Sequence, residues 1–437
     1  MDSKRIGVIS LGCDKNRVDT EKMLALLSEK HTLVPSIEQA EIVIINTCAF
    51  LESSRKEAIE EILSVIDQKQ NGRVQKIIVT GCLPQKFVGD IFGELPEVDA
   101  FMGVSDYGEI LDVIDRICKG ERVNAVGEPK GECGKKRVLT TDNYAYLKIA
   151  DGCSNRCTYC LIPYIRGAYR SVQKDDLIEE TRGLGDVKEL ILVAQDTARY
   201  GHDLTPKTDL VDLIRKLSAL SNVHSIRLLY CYPENVTDRL IEELKTNDKL
   251  IKYIDMPLQH ADDKVLKLMN RKGTYKGYLD LIRKLKSEVE GIAIRSTFIA
   301  GFPRESEEAF MNLVQFLREA KLFNAGFFKY SKEEGTPAYR LDGHIPQGVK
   351  TKRWKKLYSV QKAIVKDNLK AFVGKTIRII AEGFDESELV YYGRAYFNAP
   401  EVDGKVYFFS AEPVEYGEFM DVKIIKATGY DLYGERL

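Results

Sequence analysis

No apolar run in this 437-residue sequence approaches the roughly 20 residues that a helix needs to cross a bilayer; the longest, such as Ile42 to Ile45, are strand-sized. Charge of one sign is missing as well. Sixty-five Lys and Arg stand against 66 Asp and Glu, a formal net charge of -1, so no global field draws in nucleic acid or an anionic membrane. Any electrostatic partner has to be read from local segments. The first residues, Met1 to Arg5, lead into a short strand pattern and lack a signal-peptide core, so a cytoplasmic location with no membrane partner is expected. With 44% apolar and 30% charged residues, the composition is not that of a disordered chain, a collagen-like repeat or a simple coiled coil.

What the sequence has in plenty is length and cysteine. A single hydrophobic core stops growing at roughly 250 to 300 residues, so several domains are expected. The nine cysteines are odd in number, and three crowd into residues 153 to 160. That pattern suits metal or cluster ligation in a reducing compartment better than a disulfide framework.

The hydrophobic pattern divides the chain into three units. Over residues 1 to 120, strands at Ile6 to Ser10, Ile42 to Asn46, Lys76 to Thr80 and Ala100 to Val104 alternate with helices, predicting a doubly wound parallel sheet. Residues 121 to 143, rich in Gly, Lys and Glu, read as a linker. From 144 to 372 six further strands alternate with helices, a (β/α) run long enough for a barrel or partial barrel, ending in a Lys-rich helix at about 347 to 370. Residues 373 to 437 hold four short strands without helices, which predicts a small antiparallel β-barrel.

Cys153, Cys157 and Cys160, spaced C-x3-C-x2-C directly after the first strand of the second unit, are the strongest chemical signal. Soft thiolates select zinc or iron-sulfur clusters, and a closed structural zinc site would need a fourth ligand from a distant residue. Three cysteines on a 4Fe-4S cluster leave one iron open, and a loop at the carboxyl end of a barrel strand is where (β/α) barrels do chemistry. A second set is dispersed: Cys13, Cys48 and Cys82 each follow the carboxyl end of a predicted strand, the edge at which open parallel sheets bind ligands. The alternative is three buried cysteines acting as small hydrophobes. Cys118, Cys133 and Cys231 carry no such pattern and are read as inert. Gln195 and Gln259, at barrel-strand ends, are candidates either for hydrogen bonds to a cofactor or substrate or for structural capping.

The C-x3-C-x2-C loop resembles that of the radical SAM superfamily, in which S-adenosylmethionine chelates the open iron. That resemblance implies that Tyr159 lies near the adenine, packing under the loop being its plainer role, and that Thr297 to Pro303, with Gly301, lies by the nucleoside. The stretch Leu11-Gly12-Cys13-Asp14-Lys15-Asn16, with the barrel motif and the terminal β-domain, resembles the methylthiotransferases over nearly the whole chain. Asp14 stands where that pattern usually has proline. The resemblance implies two 4Fe-4S clusters, one on Cys13, Cys48 and Cys82 and one on Cys153, Cys157 and Cys160, and a C-terminal TRAM domain that engages the substrate. Together with Gln195-Asp196-Thr197 and Pro257-Leu258-Gln259-His260-Ala261, it points to the branch that modifies an aspartate of the decoding-centre protein of the small ribosomal subunit. The implied reaction passes an electron to S-adenosylmethionine, abstracts hydrogen from the aspartate β-carbon and delivers a methylthio group, with an external reductant and a sulfur donor as partners. An unactivated carbon offers a general base no acidic proton, so the hard step belongs to the cofactor.

Charge bears on the substrate. Residues 373 to 437 carry seven Lys and Arg against twelve Asp and Glu, which favours a basic ribosomal protein over RNA. Residues 347 to 370 carry eight Lys and Arg against one Asp, a strip that a tRNA could use if it is more than a solvated helix face. A tRNA adenosine methylthiotransferase is thus the alternative, and a non-enzymatic iron-sulfur electron carrier or scaffold is the competing class. The carrier is disfavoured because electron transfer is served by closed, four-cysteine clusters.

Overall fold

The computed structural model describes residues 2–131, 134–141 and 143–437, so Cys133 lies outside the described residues. The first unit is a six-stranded sheet in which every pairing is parallel. Its spatial order is Thr32–Leu33, Arg5–Ser10, Ile42–Thr47, Lys76–Gly81, Ala100–Met102 and Val123–Ala125. Residues Ile42–Thr47 are buried throughout, as befits a central parallel strand covered on both faces. The order reverses between Arg5–Ser10 and Ile42–Thr47, and at such a switch point the carboxyl ends of the strands frame a crevice. Val123–Ala125 corrects the sequence reading, which placed it in the linker: a three-residue edge strand is too short to show periodicity.

The second unit is also six-stranded and parallel, with strands Tyr144–Lys148, Glu189–Val193, Ile226–Leu228, Leu250–Asp255, Ala293–Ala300 and Asn324–Lys329 adjacent in chain order. Its first and last strands are not paired, so it is an open, partial barrel. The third strand ends earlier than the pattern through Tyr230 suggests. Tyr230 adopts φ 59° and its N–H donates to Asp255 Oδ2 instead of continuing the ladder.

Residues 373–437 close into a five-stranded barrel. The expected strands are there, and Asp431–Arg436 adds a fifth. Four of the five pairings are antiparallel; Val406–Phe409 with Asp431–Arg436 is parallel. An odd number of alternating strands cannot close without one such pair.

Of the contacts that hold the units together, two sets bear most on the site. Helix Asp14–Leu27 buries Lys15, Asn16, Asp19, Glu21 and Lys22, and does so against charge. Asp19 pairs with Lys148 and, at 3.1 Å, with Arg166; Lys22 pairs with Glu180 at 3.1 Å; Arg137 bridges Glu21 and Glu180. The terminal barrel seals the partial barrel from below, at residues that start or precede its strands. Glu189 is gripped by Arg227 at 2.5 Å and Arg394 at 2.9 Å, Tyr396 Oη donates to Gly291 O, and Asn324 donates to Phe397 O. Around these contacts Tyr146, Ile191, Val193 and Tyr253 share one apolar core with Phe397, Val406 and Leu432.

Candidate active site

Strand register brings the dispersed cysteines together. Ser10 pairs with Asn46, Asn46 with Thr80 and Thr47 with Gly81, so the three strands end level and Cys13, Cys48 and Cys82 share one edge. Cys13 takes the N-cap position of helix Asp14–Leu27 and Cys82 opens helix Cys82–Glu94. Gly12, at φ +96°, is required: a Cβ there would lie 2.6 Å from that of Cys48. Asn16 ties the edge together by donating to Leu11 O (3.1 Å) and Thr47 O (2.9 Å), and its Oδ1 lies 3.8 Å from Cys82 Sγ. Arg166, from the second unit, donates to the same Oδ1 at 2.6 Å. Burial pushes the Cys82 thiol up to about 12, against the pull of the Arg166 cation, so ligation has to displace its proton.

The second set sits on the loop after strand Tyr144–Lys148. Gly152, at φ +75°, turns so tightly that a side chain would overlap Ala168 O, and Cys153 N–H donates to Gly167 O at 3.0 Å. Asp196 pins the loop from the neighbouring strand end, accepting from Asn155 Nδ2 (3.1 Å), Asn235 Nδ2 (2.8 Å) and Tyr232 N–H (3.3 Å). Tyr232 Oη lies 3.8 Å from Cys157 Sγ, and Arg271 stacks 3.7 Å over the Tyr232 ring. Burial raises Cys153 to about 11 and Cys160 further.

Of the other sequence candidates, Tyr159 and Gly301 do come together. The Tyr159 ring meets Phe302 edge-on at 6.5 Å, within a small core that includes Met269 and Tyr330. Gly301 holds φ +76° against the Lys350 side chain, and its N–H is already taken by Glu305 Oε2 at 2.8 Å. Gln195 Nε2 donates to Asp151 Oδ1 at 3.0 Å, while its Oε1 is buried with no hydrogen-bond partner among the described residues, an acceptor facing the loop side of the barrel. Gln259 has a structural role in its backbone, and it also borders a cavity. At φ 71° its backbone bridges Thr297 and Ile299, and its side chain lines a cavity of about 350 Å³. Cys13 and Asp14 from the first unit, Arg295 and Thr297 from the barrel, and Glu401 from the terminal domain face the same space. Asp14 Oδ2 is buried there without a hydrogen-bond partner among the described residues.

Sequence reasoning missed three residues that shape this region. Glu305 holds the Gly301 turn and is itself held by Arg353 at 2.7 Å, with His260 Nε2 3.4 Å away. Arg166 joins Asp151 (2.8 Å), Asp19 and Asn16, linking the two cysteine regions. Arg271 flanks Cys157. For Glu305 a signal existed, a carboxylate four residues beyond a strand-end glycine.

The donor sets fit iron-sulfur clusters. Each presents three thiols, a soft donor type suited to iron-sulfur ligation, at a strand-end edge. Cys153, Cys157 and Cys160 would hold one cluster and Cys13, Cys48 and Cys82 the other.

Residues 147–317 match the radical SAM superfamily, residues 5–103 the uncharacterized protein family UPF0004, and residues 373–437 the TRAM domain. The chain is 44% identical to the ribosomal protein uS12 methylthiotransferase RimO of Acetivibrio thermocellus, covering 99% of this chain and 98% of that protein. It is 46% identical to the RimO of Caldanaerobacter subterraneus, covering 99% and 100%. Among solved structures it shares its fold with the radical S-adenosylmethionine methyltransferase TsrM of Kitasatospora setae, at TM-score 0.58 and 13% identity over 77% of each chain. The cobalamin-dependent S-adenosylmethionine radical enzyme OxsB aligns at TM-score 0.51 and 15% identity, over 84% of this chain and 56% of that one. On the strength of its full-length relatives and its cysteine-bearing strand ends, the chain belongs to the RimO family of radical SAM methylthiotransferases.

Proposed function

We propose that this protein adds a methylthio group to the β-carbon of an aspartate in the small-subunit ribosomal protein uS12. One observation carries the reading: two three-cysteine sites stand at the strand ends of adjoining units, and Cys13 opens on a cavity walled by the barrel and the terminal domain. Bound there, the clusters would supply the electron that cleaves S-adenosylmethionine and an open iron on which sulfur can be carried.

The chain's own residues prepare the site. Asp196 and Gly152 shape the Cys153 loop, Glu305 fixes the Gly301 turn, and Arg166 keeps the Cys82 edge registered on the barrel. The terminal domain closes the barrel floor. A cytoplasmic setting, an external reductant and a sulfur donor complete the reading. Protein is favoured over tRNA as substrate because Glu386, Glu388, Glu412, Glu415, Asp421 and Glu435 remain exposed on the terminal domain, a surface that attracts a basic ribosomal protein. Anaerobic assay of the reconstituted enzyme with purified uS12 and, separately, with tRNA tests it. A mass increase on uS12 alone is expected, and modification of tRNA alone would refute it.

A further inference from the structure

The C-terminal helix Gln347–Lys370 sorts its cations by face. Lys350 and Arg353 turn inward to the Gly301 turn, where Lys350 Nζ donates to Tyr330 O and Arg353 holds Glu305. Lys352, Lys355, Lys356, Lys362 and Lys366 are exposed. Among the described residues the ion pairs of this helix are made by Arg353, with Glu305 and Glu307, and by Lys370, with Asp367, so the exposed lysines between them are uncompensated.

Three of them share one feature. Lys355, Lys362 and Lys366 line a groove of about 570 Å³ between this helix and the turn of the terminal barrel that carries Tyr430. Tyr358 and Tyr430 flank it and Ala363 leaves room beneath. The three lysines fall at helical spacing along one stripe about 16 Å long, taking about 1.5 Å per residue. Tyr358 is fixed from behind by Trp354, with ring centroids 4.7 Å apart, so it offers a rigid surface. A row of uncompensated cations suits a polyanion. Aromatic walls suit one that also carries flat apolar faces, which a purely acidic peptide such as polyglutamate lacks and a base-paired duplex keeps stacked inside.

We propose that this groove binds a single-stranded segment of RNA, its phosphates along Lys355, Lys362 and Lys366 and a base against Tyr430. The site is separate from the cysteine cavity, and the proposal stands whichever residue the enzyme modifies. It also reconciles an acidic terminal domain with RNA contact, since the cations come from the helix and the barrel contributes an aromatic ring.

The test is fluorescence anisotropy of a labelled oligouridylate with the full-length protein across about 50 to 200 mM salt. Three neutralised phosphates on a single strand give a log-log salt slope of about -2, at about 0.7 per contact. Lys355→Gln/Lys362→Gln/Lys366→Gln should abolish most of that slope, and the matching Lys→Arg triple should keep it. Tyr430→Leu should weaken binding about 5- to 150-fold with the slope unchanged, as expected for one stacked base. Reductive cleavage of S-adenosylmethionine, unaltered in all three, reports that each variant is folded. The proposal is overturned if wild type fails to bind, if the glutamine triple keeps affinity and slope, if Tyr430→Leu has no effect, or if polyglutamate binds as tightly as the RNA.

Discussion

Glu189→Gln should detach the terminal barrel without touching either cysteine site. The Glu189 carboxylate lies buried between Arg227 and Arg394, at 2.5 and 2.9 Å, and among the described residues only Arg394 of these two cations has a second carboxylate partner, Glu382 at 2.6 Å. Unit charges about 4 Å apart attract by about 4 kcal/mol at an effective dielectric of about 20, and breaking a buried pair by neutralising one partner costs about 3 to 5 kcal/mol. A loss of that size at neutral pH is expected in urea unfolding of the docked terminal domain, accompanied by protease cutting between Lys370 and Thr376. The pH dependence gives a second reading. Burial works against the charged form, but Arg227 and Arg394 outweigh it and hold Glu189 below the usual carboxylate range. Its contribution is therefore fully present above the unfolded value of about 4.3 and is lost as pH falls through the folded value. The wild-type and glutamine curves should converge in acid. A cost below about 1 kcal/mol at pH 7, the range of an exposed pair, would refute the reasoning, as would a gap that persists undiminished at low pH.

Other outcomes follow from the site. Replacing Cys153, Cys157 and Cys160 together with Ala should leave about half of the reconstituted iron, about four of about eight atoms, measured by iron analysis; tetrahedral zinc in the wild type would contradict this. Cys82→Ala should keep the cleavage of S-adenosylmethionine while abolishing methylthio product, seen by following deoxyadenosine and product mass side by side. Gly301→Ala places a Cβ on Lys350 at φ +76° and should lower stability by about 1 to 3 kcal/mol and raise the KM for S-adenosylmethionine, checked by melting and by kinetics. Reversing Glu386, Glu388, Glu412 and Glu415 to Lys should weaken capture of the ribosomal protein and flatten its salt dependence, with substrate-free cleavage unchanged.

The six cysteines were legible because each follows a strand whose apolar run is unmistakable, and parallel topology does the rest. Helix Asp14–Leu27 was legible as a helix but not as an interface. Beside its apolar residues it also buries Lys15, Asn16, Asp19, Glu21 and Lys22 against the second unit, and periodicity detects burial only where burial is apolar. Strand Asp431–Arg436 escaped because it is interrupted by Gly434 and charged at both ends. Arg166 and Arg271 act from positions that no spacing marks, since each works through partners distant in sequence, whereas Glu305 carried a local signal in its spacing from Gly301. The glutamine at 259 was visible as a candidate, yet its structural role rests on a left-handed backbone that composition does not encode.

The ionic face of helix Asp14–Leu27 works as a vernier between the two halves of the molecule. An oily interface tolerates sliding, because one methyl group serves nearly as well as the next. Here a slip of one helical turn, about 5.4 Å, would carry Asp19 away from Lys148 and Arg166 and Glu21 away from Arg137, stranding charges in a dry seam. Intermediate positions are therefore penalised, and the separation between Cys13 at one end of that helix and the Cys153 loop across the seam is indexed to a single notch.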